Sequence, residues 1–239
     1  SMNEKKQYDI LLTNDDGFNA IGFYPLLKSL SQHFSVLAVA PDSQKSWQGK
    51  SISKKPDLRV VEQQLHEFTV QTVNGTPADC VQIGLYDLLD TPPKLVVSGV
   101  NSGSNAGRGR VLSSGTVGAA MEAALNGCKA VASSLYLQMS PAEYAAIDFT
   151  SSAHYALFEP AAEITTWLVR SLISHQLPDD VDVLTVNIPL KATLSTKVEV
   201  TDLALDAYGQ VFKRDGEHYV HLKIACQLTE LYLEPMSMP

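Results

Sequence analysis

Short apolar runs separated by segments with helical spacing constrain this chain more than any other feature. The runs are YDILLT (8–13), SVLAVA (35–40), KLVVSG (94–99), KAVASSL (129–135) and VDVLTVNI (181–188). Such runs fit strands buried on both faces, as in a parallel sheet. Parallel strands need crossovers, and the intervening segments supply them. Phe23, Leu26, Leu27, Leu30 and Phe34 recur at helical spacing, as do Val81, Leu85, Leu88 and Leu89, and then Val117, Met121, Ala124 and Leu125. A long helix is expected near 160–175, with Pro160 in its first turn and Ile164, Trp167, Leu168 and Leu172 on one face. The expected fold is α/β with a doubly wound, mostly parallel sheet. Beyond about Lys197 the pattern changes to the strand-like pieces KVEVTDLAL, GQVFKRDGEHYVHLKIA and LTELYLE, with Asp215-Gly216 as a hairpin turn. The chain thus reads as a core over 1–196 and a β-rich C-terminal extension over 197–239, with a soft boundary.

Composition narrows the functional classes. With 239 residues, 45% hydrophobic and 18% charged, the chain can bury a sizeable core and is not disordered. Eighteen basic against 26 acidic residues give a net charge of −8, which opposes binding to a nucleic-acid duplex or an anionic membrane surface. No run is long and apolar enough to span a membrane, and the N-terminal SMNEKKQYD is too polar for a signal peptide; its first Ser reads as an expression scar. A cytoplasmic protein is expected. Cys80, Cys128 and Cys226 are odd in number, lack metal-ligand spacing and read as free thiols without a disulfide. His154, His175, His218 and His221 form no ligand constellation in sequence.

Open α/β sheets collect functional groups beyond the C-terminal strand ends. There this sequence places TNDDG after the first run, PDSQKSWQGKS after the second and VNSGSNAGRGRVLSSGT after LVVSG. A turn can bring Asp15 and Asp16 around one point, with Gly17 supplying the permissive backbone. Adjacent anions repel unless they share a cation, and hard oxygen donors suit Mg²⁺, Mn²⁺ or Ca²⁺. The alternative is a plain turn with one Asp capping the next helix. Asn101 can present an amide oxygen to the same cation, and Ser114-Gly115-Thr116 opens an Ala-rich helix whose free N–H groups suit phosphate. Ordinary N-capping by Ser114 or Thr116 is the competing reading. GSNAGRGR lacks the spacing of a dinucleotide fingerprint. NGTPADC reads as a turn and helix start, with Thr76 as cap and Pro77 in the first turn.

The motifs ILLTNDDG, VAPDSQKSWQGKS, VNGTPADCV, LVVSGVNSGSNAG, SGTVGAAMEA and LTVNIP, in that order, resemble the SurE survival-protein family of metal-dependent 5'-nucleotidases. They cover most of residues 8–135 and a further stretch near 183–189. The resemblance implies a Rossmann-like core, a divalent cation (Mg²⁺ or Mn²⁺) and hydrolysis of nucleoside monophosphates, with 3'-nucleotides and polyphosphate as further substrates. It implies metal ligation by Asp15, Asp16, Ser46 and Asn101, and phosphate contacts from Asn105, Ser114, Gly115 and Thr116. Asp15 and Asp16 would be the catalytic residues, with Asp15 orienting or deprotonating the attacking water. A homodimer or higher homo-oligomer is the expected assembly.

Several positions depart from the family pattern. Trp47 stands where relatives usually carry small or polar residues, and Lys50 where His or Asn is common. GSN replaces Gly-Pro-Asn, and Arg108 and Arg110 replace acidic residues. Trp47 would stack on a nucleobase or pack on the rim; Lys50 would contact phosphate or be solvated; the two arginines would attract a highly charged substrate or be solvated. Two rivals remain. A haloacid-dehalogenase-like phosphatase would need Asp-x-Asp, whereas Gly17 fills the second slot here. A non-catalytic metal- or nucleotide-binding relative would keep the fold alone.

Overall fold

The computed structural model of the chain describes residues 6–54, 56–206 and 208–222. All five apolar runs form strands. The elements are β1 (Ile10–Thr13), α1 (Phe23–Ser31), β2 (Val36–Pro41), β3 (Val60–Leu65), β4 (Phe68–Val73), α2 (Pro77–Ile83), β5 (Leu95–Ser102), α3 (Arg108–Ser113), α4 (Gly115–Leu125), β6 (Ala130–Tyr136), α5 (Pro141–Ala145), α6 (Glu159–His175), β7 (Val183–Pro189), β8 (Phe212–Asp215) and β9 (His218–His221). One sheet holds seven strands in the order β3-β4-β2-β1-β5-β6-β7. Its neighbours are parallel except β3 and β4. The winding direction reverses at β1: β2 and β4 lie to one side, β5, β6 and β7 to the other. The C-terminal ends of β1 and β5 therefore flank the switch point, where such a sheet opens its crevice.

The uninterrupted ILLT of β1 is buried at every residue, as a central parallel strand requires. Ile10 and Leu12 pack with Leu26 and Leu30 of α1 and with Ala162 and Val169 of α6. Leu11 points into the opposite layer, with Val81 of α2 and Val117 and Ala120 of α4. Burying one such leucine or isoleucine contributes about 1.5–3 kcal/mol. The start of α2 is as expected: Thr76 and Asp79 form a capping box, with Pro77 in the first turn.

Several elements differ from the sequence reading. The β3–β4 hairpin was not anticipated, because β3 is an edge strand whose first five residues are exposed and show no apolar alternation. Two glycines hide the short helix α3. On α4 and α6 the expected faces hold for Val117, Met121, Ile164, Leu168 and Leu172 but not for Leu125 and Trp167. Leu125 of α4 is 73% exposed, while Ala119, Ala120, Glu122 and Ala123 are buried. Trp167 of α6 is exposed, while Ala161, Ala162, Thr165, Thr166 and Val169 are buried, with Ile164, Leu168 and Leu172 packed partly around them. Small residues let each helix approach its neighbours closely, and the Thr165 and Thr166 hydroxyls sit 2.7 Å from those of Ser133 and Ser29.

KVEVTDLAL forms no strand. β8 and β9 make a separate antiparallel hairpin through Gly216-Glu217, with Gly216 at φ 62°. LTELYLE and Cys226 lie outside the described residues, whereas Cys80 and Cys128 are buried and free. Among the described residues no helix is long and apolar enough to cross a membrane.

Candidate metal and phosphate site

Past Thr13 the chain turns across the rim. Asn14 donates from Nδ2 to the Gly17 carbonyl at 2.7 Å, and Gly17 takes φ 99°. A Cβ on Gly17 would lie 3.3 Å from the Ser43 carbonyl carbon, so the second loop packs tightly on this turn. The two carboxylates find different partners. Asp15 is 4% exposed, and its Oδ1 accepts from the Thr116 hydroxyl at the start of α4. Asp16, half-buried, accepts at Oδ2 from the Ser102 amide at 2.9 Å, with the Gln44 side chain nearby. Neither has an ion-pair partner among the described residues. Burial and then the neighbouring Asp16 charge push the Asp15 carboxyl up to about 7. Burial likewise raises Asp16, against the pull of Ser102 and Gln44.

The second loop is bound to both neighbours. The Lys45 amide donates to the Asp15 carbonyl at 2.7 Å, and Gln44 Nε2 donates to the Ser46 hydroxyl at 3.0 Å. Gln44 therefore lies near Asp16 and bonds Ser46. The Gly49 amide donates to the Ser113 carbonyl at 2.9 Å, and a Cβ on Gly118 would stand 2.5 Å from the Gly49 oxygen. Lys50 is paired with Glu122 of α4 at 2.7 Å, so its ammonium is neither solvated alone nor directed to phosphate.

On the third loop the β5–β6 register shifts between Ser98 and Asn101, a bulge that re-aims the strand end. Asn101 lies within β5 rather than after it. Its Nδ2 donates to the Gly103 carbonyl at 2.8 Å, leaving Oδ1 as the acceptor atom. Ser114 caps α4, its hydroxyl accepting from the Val117 amide at 3.1 Å. A Cβ on Gly115 would come within 2.8 Å of Asp15 Cβ, so only glycine lets the aspartate lie this close to the helix start. Capping and anion binding thus coexist at this helix start, and the anion held is the protein's own Asp15. Asn105 stands beside β6 and β7: its Nδ2 donates to Ser134 Oγ at 2.9 Å and its amide to Asn187 Oδ1 at 2.8 Å.

The structure brings Asp15, Asp16, Gly115, Thr116 and the Ser46 loop together, with Asn101 adjoining Asp16 through Ser102. Asn105 sits further along the rim. Gln44 and Asn187 escaped the residue-by-residue reading, although both lie inside matched motifs. Glu122 likewise lies inside a matched motif and Ser134 inside the KAVASSL run, but neither residue type in those places points to the site. Among the described residues no group of three His, Cys, Asp or Glu forms a metal cluster. The candidate donors are instead the two carboxylates and the neutral oxygens of Asn101 and Ser46, a type of set that suits a hard divalent cation. Such a cation would also offset the like charges that burial makes costly.

The family described as Survival protein SurE matches residues 10–210. The chain belongs to the SurE family. The 5'-nucleotidase SurE of Methanocaldococcus jannaschii is 38% identical over 204 residues, spanning 84% of this chain and 74% of that relative. The 5'-nucleotidase SurE of Archaeoglobus fulgidus is 38% identical over 199 residues, spanning 83% and 73%. The crystal structure of the SurE protein from Aquifex aeolicus matches with a TM-score of 0.70 at 30% identity, covering 88% of this chain and 80% of that one. Membership of the SurE family and the Rossmann-like sheet, both expected from the motifs, are borne out.

Proposed function

We propose that this SurE-family chain is a divalent-metal-dependent phosphomonoesterase that hydrolyses nucleoside monophosphates, acting as a 5'-nucleotidase. One observation carries the reading: two carboxylates with no cationic partner among the described residues meet at the β1/β5 switch point, one of them against the start of α4. The 5'-nucleotidase name of the M. jannaschii and A. fulgidus relatives supports the substrate class.

Asp15, Asp16, Ser46 and Asn101 would hold the cation, Mg²⁺ or Mn²⁺. When bound, it supplies Lewis acidity and a more acidic water. The remaining work belongs to the chain. Gly115 and the dipole of α4, with Ser114, Thr116 and Asn105, hold and orient the phosphoryl oxygens, whose charge is the main demand of phosphoryl transfer. Asp15, positioned by the Thr116 hydroxyl, takes the proton from the attacking water, and Asp16 fixes the opposite side of the site. Arg108, exposed at the start of α3, is available to a longer phosphate chain, whereas Arg110 is tied to Asp206. Polyphosphate and 3'-nucleotides therefore belong in the substrate panel.

Residues 1–196 act as the catalytic core and 197–239 as an extension in this reading. The assembly is a homodimer in the cytoplasm. The apolar side chains that Val198, Val200, Leu203 and Leu205 leave exposed support a covering second copy, and the free buried thiols of Cys80 and Cys128 suit a reducing compartment.

The test is phosphate release from a nucleotide panel in Mn²⁺, with and without chelator. The account expects release that the chelator abolishes. Nucleotide binding without release would favour the non-catalytic relative, and a trapped phospho-aspartyl enzyme would favour the haloacid-dehalogenase-like route.

A further inference from the structure

We propose that Trp47 and Tyr208 form a clasp that positions Ser46, with Asp206 anchoring the clasp to α3. All three are positioning residues, and the inference rests on the metal reading of the site. Trp47 follows Ser46 directly and takes φ 66°. A non-glycine residue there is strained unless its surroundings compensate. The compensation is visible: the indole centroid lies 4.6 Å from the Tyr208 ring and 5.0 Å from His221. This aromatic contact accounts for Trp47 without a nucleobase.

Tyr208 is itself fixed. Its hydroxyl donates to the Gly109 carbonyl at 2.7 Å and contacts the Ser113 hydroxyl. Two residues earlier, Asp206 Oδ1 accepts from the Gly109 amide at 2.8 Å, and Oδ2 lies 3.7 Å from Arg110 Nε. The Arg108 amide donates to the Ala204 carbonyl at 3.0 Å. Gly107 makes this approach possible: at φ 89°, a Cβ there would fall 2.3 Å from Asp206 Cγ. α3 runs straight into Ser114, and the Ser113 carbonyl accepts from Gly49 in the same loop as Ser46. The contacts close a circuit from Ser46 through Trp47, Tyr208, α3 and Gly49 back to the loop. Ser46 itself is exposed, with the Gln44 amide as its hydrogen-bond partner. The circuit therefore sets the position of a weakly held ligand.

The test titrates Mn²⁺ into the full chain without substrate. Free Mn²⁺ is followed by electron paramagnetic resonance, and Trp47 by fluorescence in a Trp167→Phe background, since these are the two tryptophans of the chain. Trp47→Ala, Tyr208→Ala and Asp206→Ala should each weaken Mn²⁺ binding about tenfold, the lower end of the range for groups that orient a metal ligand. Tyr208→Phe, which keeps the ring, should restore most of the affinity. Trp47→Gly, which removes the strain together with the ring, should behave like Trp47→Ala. Parallel thermal melts should show each variant folded, as expected for partly exposed positions outside the core. At saturating Mn²⁺, turnover should approach wild type for a nucleotide and for p-nitrophenyl phosphate alike. Wild-type Mn²⁺ affinity in Tyr208→Ala and Asp206→Ala overturns the clasp. So does a defect confined to KM for the nucleotide, which would make Trp47 a base platform. Failure of the unmodified chain to bind Mn²⁺ would instead sink the metal reading together with the clasp.

Discussion

The rim at the β1/β5 switch point and the stretch from Leu194 to Val220 are both poor in regular structure, yet they place their side chains in opposite ways. At the rim, most buried polar groups are bonded: Asp15, Asn105, Ser114 and Thr116 all have named partners in other parts of the chain or in their own helix, although Thr13 Oγ1, Asn14 Oδ1 and Ser98 Oγ have none among the described residues. In the later stretch apolar groups are exposed, Val200 almost completely at 99%. A buried polar group without partners costs free energy, so each contact at the rim is specified by its neighbours. An exposed valine specifies nothing until another surface covers it. The lesson is that single substitutions at the rim, or at the Asp206 and Tyr208 contacts that reach it, should change chemistry, whereas those of the exposed apolar residues in the later stretch should change association.

The largest effect should come from Asp15→Asn or Asp16→Asn, each lowering metal-dependent kcat/KM by about 10²–10³, as for loss of a group that stabilises transition-state charge. The metal-free protein should melt no lower than wild type, because the change removes one of two neighbouring buried charges. Wild-type rates in either variant would erase the contrast between the two regions. Next is Gly115→Ala, which forces a methyl group into Asp15. Its expected loss reaches about 10², typical of a misplacement of one ångström, with little change in far-UV circular dichroism. Retained activity would show that the closeness of Asp15 to α4 is incidental.

Lys50→Met should act on stability rather than on phosphate contact. It leaves the buried Glu122 without its ion-pair partner and should cost about 1–3 kcal/mol in denaturant titration, with KM for nucleotide near wild type. A large rise in KM instead would return Lys50 to the substrate. The smallest stability effect belongs to Val200→Ser, within about 0.5 kcal/mol for the isolated chain. It should nonetheless shift the assembly toward monomer in sedimentation velocity, and an unaltered assembly would remove Val200 from the interface.

The parallel sheet was legible because strands such as ILLT, buried on both faces, announce themselves by unbroken apolar runs. The capping box at Thr76 was legible for an equally local reason. β3 was not, since an edge strand needs no apolar face, and on α4 and α6 Val117, Met121, Ile164, Leu168 and Leu172 pack as read, whereas Leu125 and Trp167 are exposed and small residues make the closest contacts. At the site, the adjacent aspartates and the SSGT helix start stood out separately. Their direct bond joins Asp15 to Thr116 across 101 positions of sequence, a proximity that only the winding of the sheet creates. The motifs carried the family, but not the bond from Gln44 to Ser46 beside Asp16, or the fastening of Tyr208 to α3.

Crystals soaked in Mn²⁺ and measured at the manganese edge test the central claim most directly. The account predicts an anomalous peak coordinated by the carboxylates of Asp15 and Asp16 and the amide oxygen of Asn101. Well-ordered carboxylates with no manganese between them, at a concentration that supports phosphate release, would contradict it.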